Sequence, residues 1–101
     1  MESLHPGTKT WLSVGPPPPN SFIVNAGDFV PIWTRGRWHS PVHRVVAKDA
    51  SRERFSIPYF TGPNLKSLVA PVVEDPLGEL PTYEPVVAGE WLGAKIAKAK
   101  I

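Results

Sequence analysis

The sequence predicts a mainly β domain, a sandwich or barrel of short strands with one helix appended at the C-terminal end. Three features predict it. The apolar runs are short and are punctuated by 13 prolines and 8 glycines, as in a loop-rich β protein. The stretch "RERFSIPYF", residues 52–60, alternates polar and apolar side chains with the period of two that a half-buried strand needs. Helical spacing is confined to "GEWLGAKIAKAKI", residues 89–101. A chain of 101 residues supports one small domain or a piece of a larger one, and would bury roughly 60–65% of its unfolded surface.

In chain order, "KTWLSV" (9–14) reads as a short strand with Trp11 as its large apolar residue. "GPPPPN" (15–20) must be a loop, because consecutive prolines cannot join a ladder and favour polyproline II. A docking ligand is the sharper reading of that run; a connector suffices. In "SFIVNAGDFVPIW", residues 22–24 read as a strand, Asn25 to Asp28 carry turn chemistry, and residues 29–33 resume as a second strand. After the turn "TRGRW", residues 41–47 and 52–60 form the next two expected strands, and 65–81 reads as irregular. At the end, Trp91, Leu92, Ile96 and Ala99 share a helical stripe. Glu90 lies near its start and Lys95, Lys98 and Lys100 near its end, as the helix dipole favours. Those lysines read as a solvated face, the alternative being contact with an acidic lipid or partner.

Composition excludes several classes. Without cysteine there is neither a disulfide nor a thiolate metal site. A net charge of +2 is too small to imply a nucleic-acid partner. No apolar run approaches the ~18 residues of a membrane span, and the N-terminus lacks the pattern of a signal peptide. The expectation is a cytoplasmic protein with no membrane or nucleic-acid partner.

One constellation carries chemistry. On a strand, Arg54, Ser56 and Pro58 point one way and Phe55, Ile57 and Tyr59 the other. The aromatic set needs a core, which leaves Arg54 and Ser56 facing solvent or a polar cavity. A guanidinium with a hydroxyl two residues on can hold a carboxylate, although the same pair is also ordinary on a wet strand face. His43, between Val42 and Val45, reads by itself as a buried, hydrogen-bonded structural histidine, the commoner case, with a ligand role as the alternative. On an uninterrupted strand His39 and His43 would lie about 13 Å apart, too far to share an ion. Pro41 argues against a helix that would bring them together. His39 therefore reads as a surface residue.

The order "VNAGD", "SPVHRVVA", "RERFSIPYF", "YEPVVAGEWL" resembles the C-terminal half of the iron(II)- and 2-oxoglutarate-dependent dioxygenases of the isopenicillin N synthase-like family. The resemblance covers roughly residues 8–95. It implies a double-stranded β-helix (jelly roll), of which residues 1–88 would form the C-terminal part and 89–101 a C-terminal helix. It implies that His43 is a ligand to Fe(II), and that Arg54 and Ser56 bind the distal carboxylate of 2-oxoglutarate. Asn25, Gly27 and Asp28 would be structural. The parent activity couples decarboxylation of 2-oxoglutarate to oxidation of a small organic substrate.

The family's remaining ligands come from a His-x-Asp/Glu motif upstream of the region that this chain resembles. Here His5 is followed by Pro6-Gly7, His39 by Ser40-Pro41 and His43 by Arg44-Val45, so none fits. One imidazole cannot complete a two-histidine, one-carboxylate site. The expectation is a dioxygenase fragment inactive by itself; the alternative is a non-catalytic jelly-roll binding module or half of a split enzyme. Strand edges and an inner face without partners should favour self-association, or pairing with a missing N-terminal half. Phe22, Val24 and Phe55 are among the residues needing cover.

Overall fold

The computed structural model describes residues 1–99. It begins with a hairpin of β1 (Glu2–Leu4) and β2 (Trp11–Ser13), antiparallel in the register Glu2↔Ser13, Ser3↔Leu12, Leu4↔Trp11. The loop between them is built by His5. Its Nδ1 accepts the N–H groups of Gly7 (3.2 Å) and Thr8 (3.1 Å), and Lys9 turns the chain back with φ 55°. A side chain that satisfies two loop donors in this way fixes a tight reversal. The strand β3 (His43–Arg44) adds to the other edge of β1, opposite Glu2 and Ser3, to give the order β2-β1-β3. Arg44 fastens all three strands. Its Nε lies 2.9 Å from Glu2 Oε2 and its guanidinium stacks 3.9 Å over the Trp11 ring.

Residues 29–33, expected as a strand, instead form the helix α1 (Phe29–Trp33). Phe29, Ile32 and Trp33 stand at i, i+3 and i+4, which puts them on one helical face. Pro31 falls in the first turn, where its missing N–H would have had no helical partner. Past α1 the chain reverses through Arg35 (φ 49°) and Gly36 (φ 75°), with the Tyr83 hydroxyl packed 3.0 Å from where a Cβ on Gly36 would sit.

Further along, β4 (Leu68–Val69) and β5 (Val86–Val87) pair antiparallel, Leu68↔Val87 and Val69↔Val86. The helix α2 (Ala88–Lys98) follows β5 without a break. Its first N–H groups are satisfied by the chain just before β4: Ala88 donates to the Ser67 carbonyl (2.9 Å) and Gly89 to that of Leu65 (2.8 Å). Ile32, Val69 and Ala88 are the buried centre, flanked by Phe29, Trp33, Tyr83 and Val86. Phe29 also stacks on Trp91 of α2 at 4.9 Å, and Lys95 reaches Asp28 at 3.3 Å. The expected stripe is only partly used: Trp91 is half-buried, whereas Ile96 is 60% exposed. Lys100 and Ile101, within the expected 89–101 helix, lie outside the described residues.

A jelly roll is not what forms. The described residues hold two small open sheets, of three and two strands, neither of them curled or closed. Residues 22–24 form no strand, the expected 41–47 strand shrinks to His43–Arg44, and 52–60 pairs with nothing. The reason is physical. Alternation makes a segment fit for a ladder, but a strand exists only where another edge supplies its hydrogen bonds. Phe22, Val24, Phe55 and Ile57 remain 87–95% exposed. The radius of gyration is 16.5 Å, where a compact chain of this length has about 13 Å.

Candidate functional site

His43 is positioned by β3, whose pairing with β1 sets it opposite Ser3. Its Nδ1 lies 3.0 Å from the Pro41 carbonyl oxygen. A carbonyl only accepts, so Nδ1–H is the donor; in a neutral imidazole this tautomer leaves the lone pair on Nε2, the atom then able to bind a metal. The ring borders an open cleft of about 380 Å³, to which Ser3, Asn25, His39, Val14 and Ile23 also contribute. His39 is exposed, as expected, yet shares this cleft with His43. Pro41 is the residue in the sequence that signals this. It interrupts the strand, so the separation along a continuous strand does not apply to this pair.

Nearby, Asp28 has its carboxyl held below the usual carboxylate range. The Ser40 hydroxyl is the main cause, opposed by partial burial and reinforced by Lys95 and by the His43 ring. Lys95 in turn sits 4.7 Å over the Trp91 ring. Asp28 is thus a charged tie between α1, α2 and the loop before β3, consistent with a structural part.

Arg54 and Ser56 lie in the unpaired 52–60 segment, and both are exposed. Neither lines the cleft beside His43. The structure therefore places His39 and His43 on the lining of one open cleft, and Arg54 and Ser56 outside it. Arg54 presents its guanidinium to solvent, able to receive a carboxylate with Ser56 as a further donor. Among the described residues no three of the His, Cys, Asp and Glu side chains are grouped to hold a metal ion. The residues present do not by themselves fit an Fe(II) centre.

A model of the 2OG-Fe(II) oxygenase superfamily matches residues 2–63, a stretch that contains His43, Arg54 and Ser56. Gibberellin 3-beta-dioxygenase 2-3 of Triticum aestivum is 36% identical over 102 residues, covering 94% of this chain and 27% of that protein. Gibberellin 2-beta-dioxygenase of Phaseolus coccineus is 46% identical over 63 residues, 62% of this chain and 18% of that protein. Thebaine 6-O-demethylase of Papaver somniferum is 44% identical over 63 residues, 62% of this chain and 17% of that protein. The chain thus spans at most 27% of the length of these relatives. No solved structure gives a significant match.

Proposed function

Since the chain belongs to the 2OG-Fe(II) oxygenase superfamily, we propose that it carries one part of such an enzyme's site and does not turn over 2-oxoglutarate alone. In this reading His43 is one ligand to Fe(II), and Arg54 with Ser56 anchors the distal carboxylate of 2-oxoglutarate. The region following the family's His-x-Asp motif is the part this chain corresponds to. The observation that carries the reading is the family match across residues 2–63, which holds all three residues in the expected order. The second half, inactivity alone, is argued from the sequence, in which none of His5, His39 and His43 stands in a His-x-Asp/Glu motif. The relatives' names specify a gibberellin dioxygenase and a thebaine demethylase, so the proposed substrate is a small organic molecule.

The residual binding expected of the chain follows from its anchor. Charge-assisted hydrogen bonds from Arg54 contribute about 1.5–3 kcal/mol. Free association costs at least about 4 kcal/mol, so without metal chelation 2-oxoglutarate binds at millimolar concentration or more weakly. The test is a turnover assay with Fe(II), ascorbate and oxygen beside an NMR titration with 2-oxoglutarate. No succinate is expected, Arg54→Ala removes the residual binding, and His43→Ala barely changes it. Succinate formation that disappears in His43→Ala would overturn the reading.

A further inference from the structure

The loop before β3 holds a short relay of contacts that ends on the His43 ring. The Ser40 hydroxyl donates to the Ala26 carbonyl at 3.3 Å. Pro41 comes next, and its carbonyl accepts the Nδ1–H of His43 at 3.0 Å. We propose that Ser40 is a positioning residue for His43: by holding the Pro41 carbonyl in place, it keeps the ring proton on Nδ1 and the lone pair on Nε2. The purpose of this device rests on the reading of His43 as a metal ligand, whereas the ring state itself is measured without metal.

The Pro41 carbonyl is fixed from both sides. On the far side β3 is seated on β1, since the Val42 carbonyl accepts the Leu4 N–H at 2.8 Å and His43 pairs with Ser3. On the near side the proline ring locks its own φ at about −65° and biases Ser40 toward extended backbone. Few rotations therefore separate the Ser40 anchor from the carbonyl it positions. Ser40 and Pro41 are half-buried, although His39 and Val42 on either side are exposed. The hydroxyl also has a second acceptor in the same turn, the Asp28 carboxylate, whose pKa it lowers. One hydroxyl proton serves one acceptor at a time, yet either bond ties Ser40 to residues 26–28.

The Pro41 carbonyl is the one hydrogen-bond partner of the His43 ring among the described residues. The ring is exposed, so without that carbonyl water would serve either nitrogen alike. A bond from the far ring nitrogen to a backbone carbonyl is a general means of fixing the tautomer and orientation of a metal-binding imidazole. His5 provides the contrast. Its Nδ1 accepts the N–H groups of Gly7 and Thr8, so its proton belongs on Nε2. One chain thus carries both tautomers, and His5 is an internal reference for His43.

Proton–nitrogen correlation spectra of the full chain, isotope-labelled at its histidine nitrogens and free of metal, test this. They are recorded at about pH 8, above the range in which imidazole ordinarily titrates. The nitrogen that bears hydrogen and the one that holds the lone pair resonate far apart, and His39→Gln and His43→Gln assign the rings. The wild type is expected to show Nδ1–H at His43 and Nε2–H at His5. In Ser40→Ala the ratio of Nδ1–H to Nε2–H at His43 should fall about two- to tenfold, the loss of one net hydrogen bond, with His5 unchanged. Ser40→Thr keeps the hydroxyl and should restore the ratio. If Ser40→Ala also erases the His5 signature, the hairpin has unfolded, and Pro41→Ala, which frees φ between anchor and carbonyl, should give the same fall instead. The turnover and binding assays judge whether His43 holds iron, and their failure would leave these spectra as they are. Nε2–H at His43 in the wild type, a ratio indifferent to these substitutions, or a threonine variant that does not restore it overturns the proposal.

Discussion

Replacing Gly89 by alanine sets two effects of known size against each other. In a helix, alanine is favoured over glycine by about 0.8–1.0 kcal/mol, so the naive expectation is a gain. At position 89, however, an added Cβ would lie 2.9 Å from the Leu65 carbonyl oxygen and 3.1 Å from Leu65 Cβ. That carbonyl also accepts the Gly89 N–H at 2.8 Å, so it cannot retreat without stretching the bond that seats α2 on the chain before β4. Overpacking of this kind costs about 1–3 kcal/mol, and a lost hydrogen bond adds about 0.5–1.5 kcal/mol. The strain wins. Gly89→Ala should destabilise the chain by about 1–2 kcal/mol net. Gly93, on the same helix, has nothing within 4 Å of its would-be Cβ, and Gly93→Ala should stabilise by up to about 1 kcal/mol. Urea unfolding followed by tryptophan fluorescence, at concentrations where the chain is monomeric, measures both. The reasoning fails if the two substitutions shift the midpoint in the same direction.

Two further substitutions probe the ties between elements. Arg44→Ala removes both the Glu2 contact and the stacking on Trp11, so a loss of about 1–2 kcal/mol is expected. Only the Glu2 part should fade in high salt, and a double-mutant cycle with Glu2→Gln isolates it. Asp28→Asn should cost about 0.2–1 kcal/mol at neutral pH, because the pair with Lys95 is half exposed. Asp28 is held lower in the folded chain than unfolded, so its contribution is full above about pH 4 and lost as pH falls through the lowered value. Wild type and Asp28→Asn should therefore converge in stability in acid, which denaturation curves at several pH values would show.

What the sequence disclosed and what it hid follow from one distinction. Family membership was legible because the spacing of His43, Arg54 and Ser56 is a property of the chain alone. The strand β2 and the C-terminal helix were legible for the same reason: Trp11 within its strand run, and the 3.6-residue spacing up to Ile96, are local. The helix α1 was misread because Phe29, Val30, Ile32 and Trp33 are β-favouring types, while their i, i+3, i+4 packing on Val69 and Ala88 depends on tertiary context. The strand β1 was missed, although the His5-Pro6-Gly7 turn before Trp11 could have signalled a hairpin. The jelly roll failed at the same boundary. Residues 52–60 have the alternation of a strand and no neighbour to complete it.

That unpaired segment changes what an affinity would mean. Arg54 and Ser56 are not held at a fixed separation by a ladder, so a carboxylate that binds both must also order the backbone between them. Fixing each residue costs about 1–2 kcal/mol, and three residues therefore consume at least as much free energy as the contacts supply. Any polypeptide that captures 53–60 as a strand performs this ordering in advance. By linkage, carboxylate affinity then rises with the fraction of chains whose segment is paired. The anion site thus reports on strand addition, and a carboxylate titration becomes a gauge of whether this edge has found its partner.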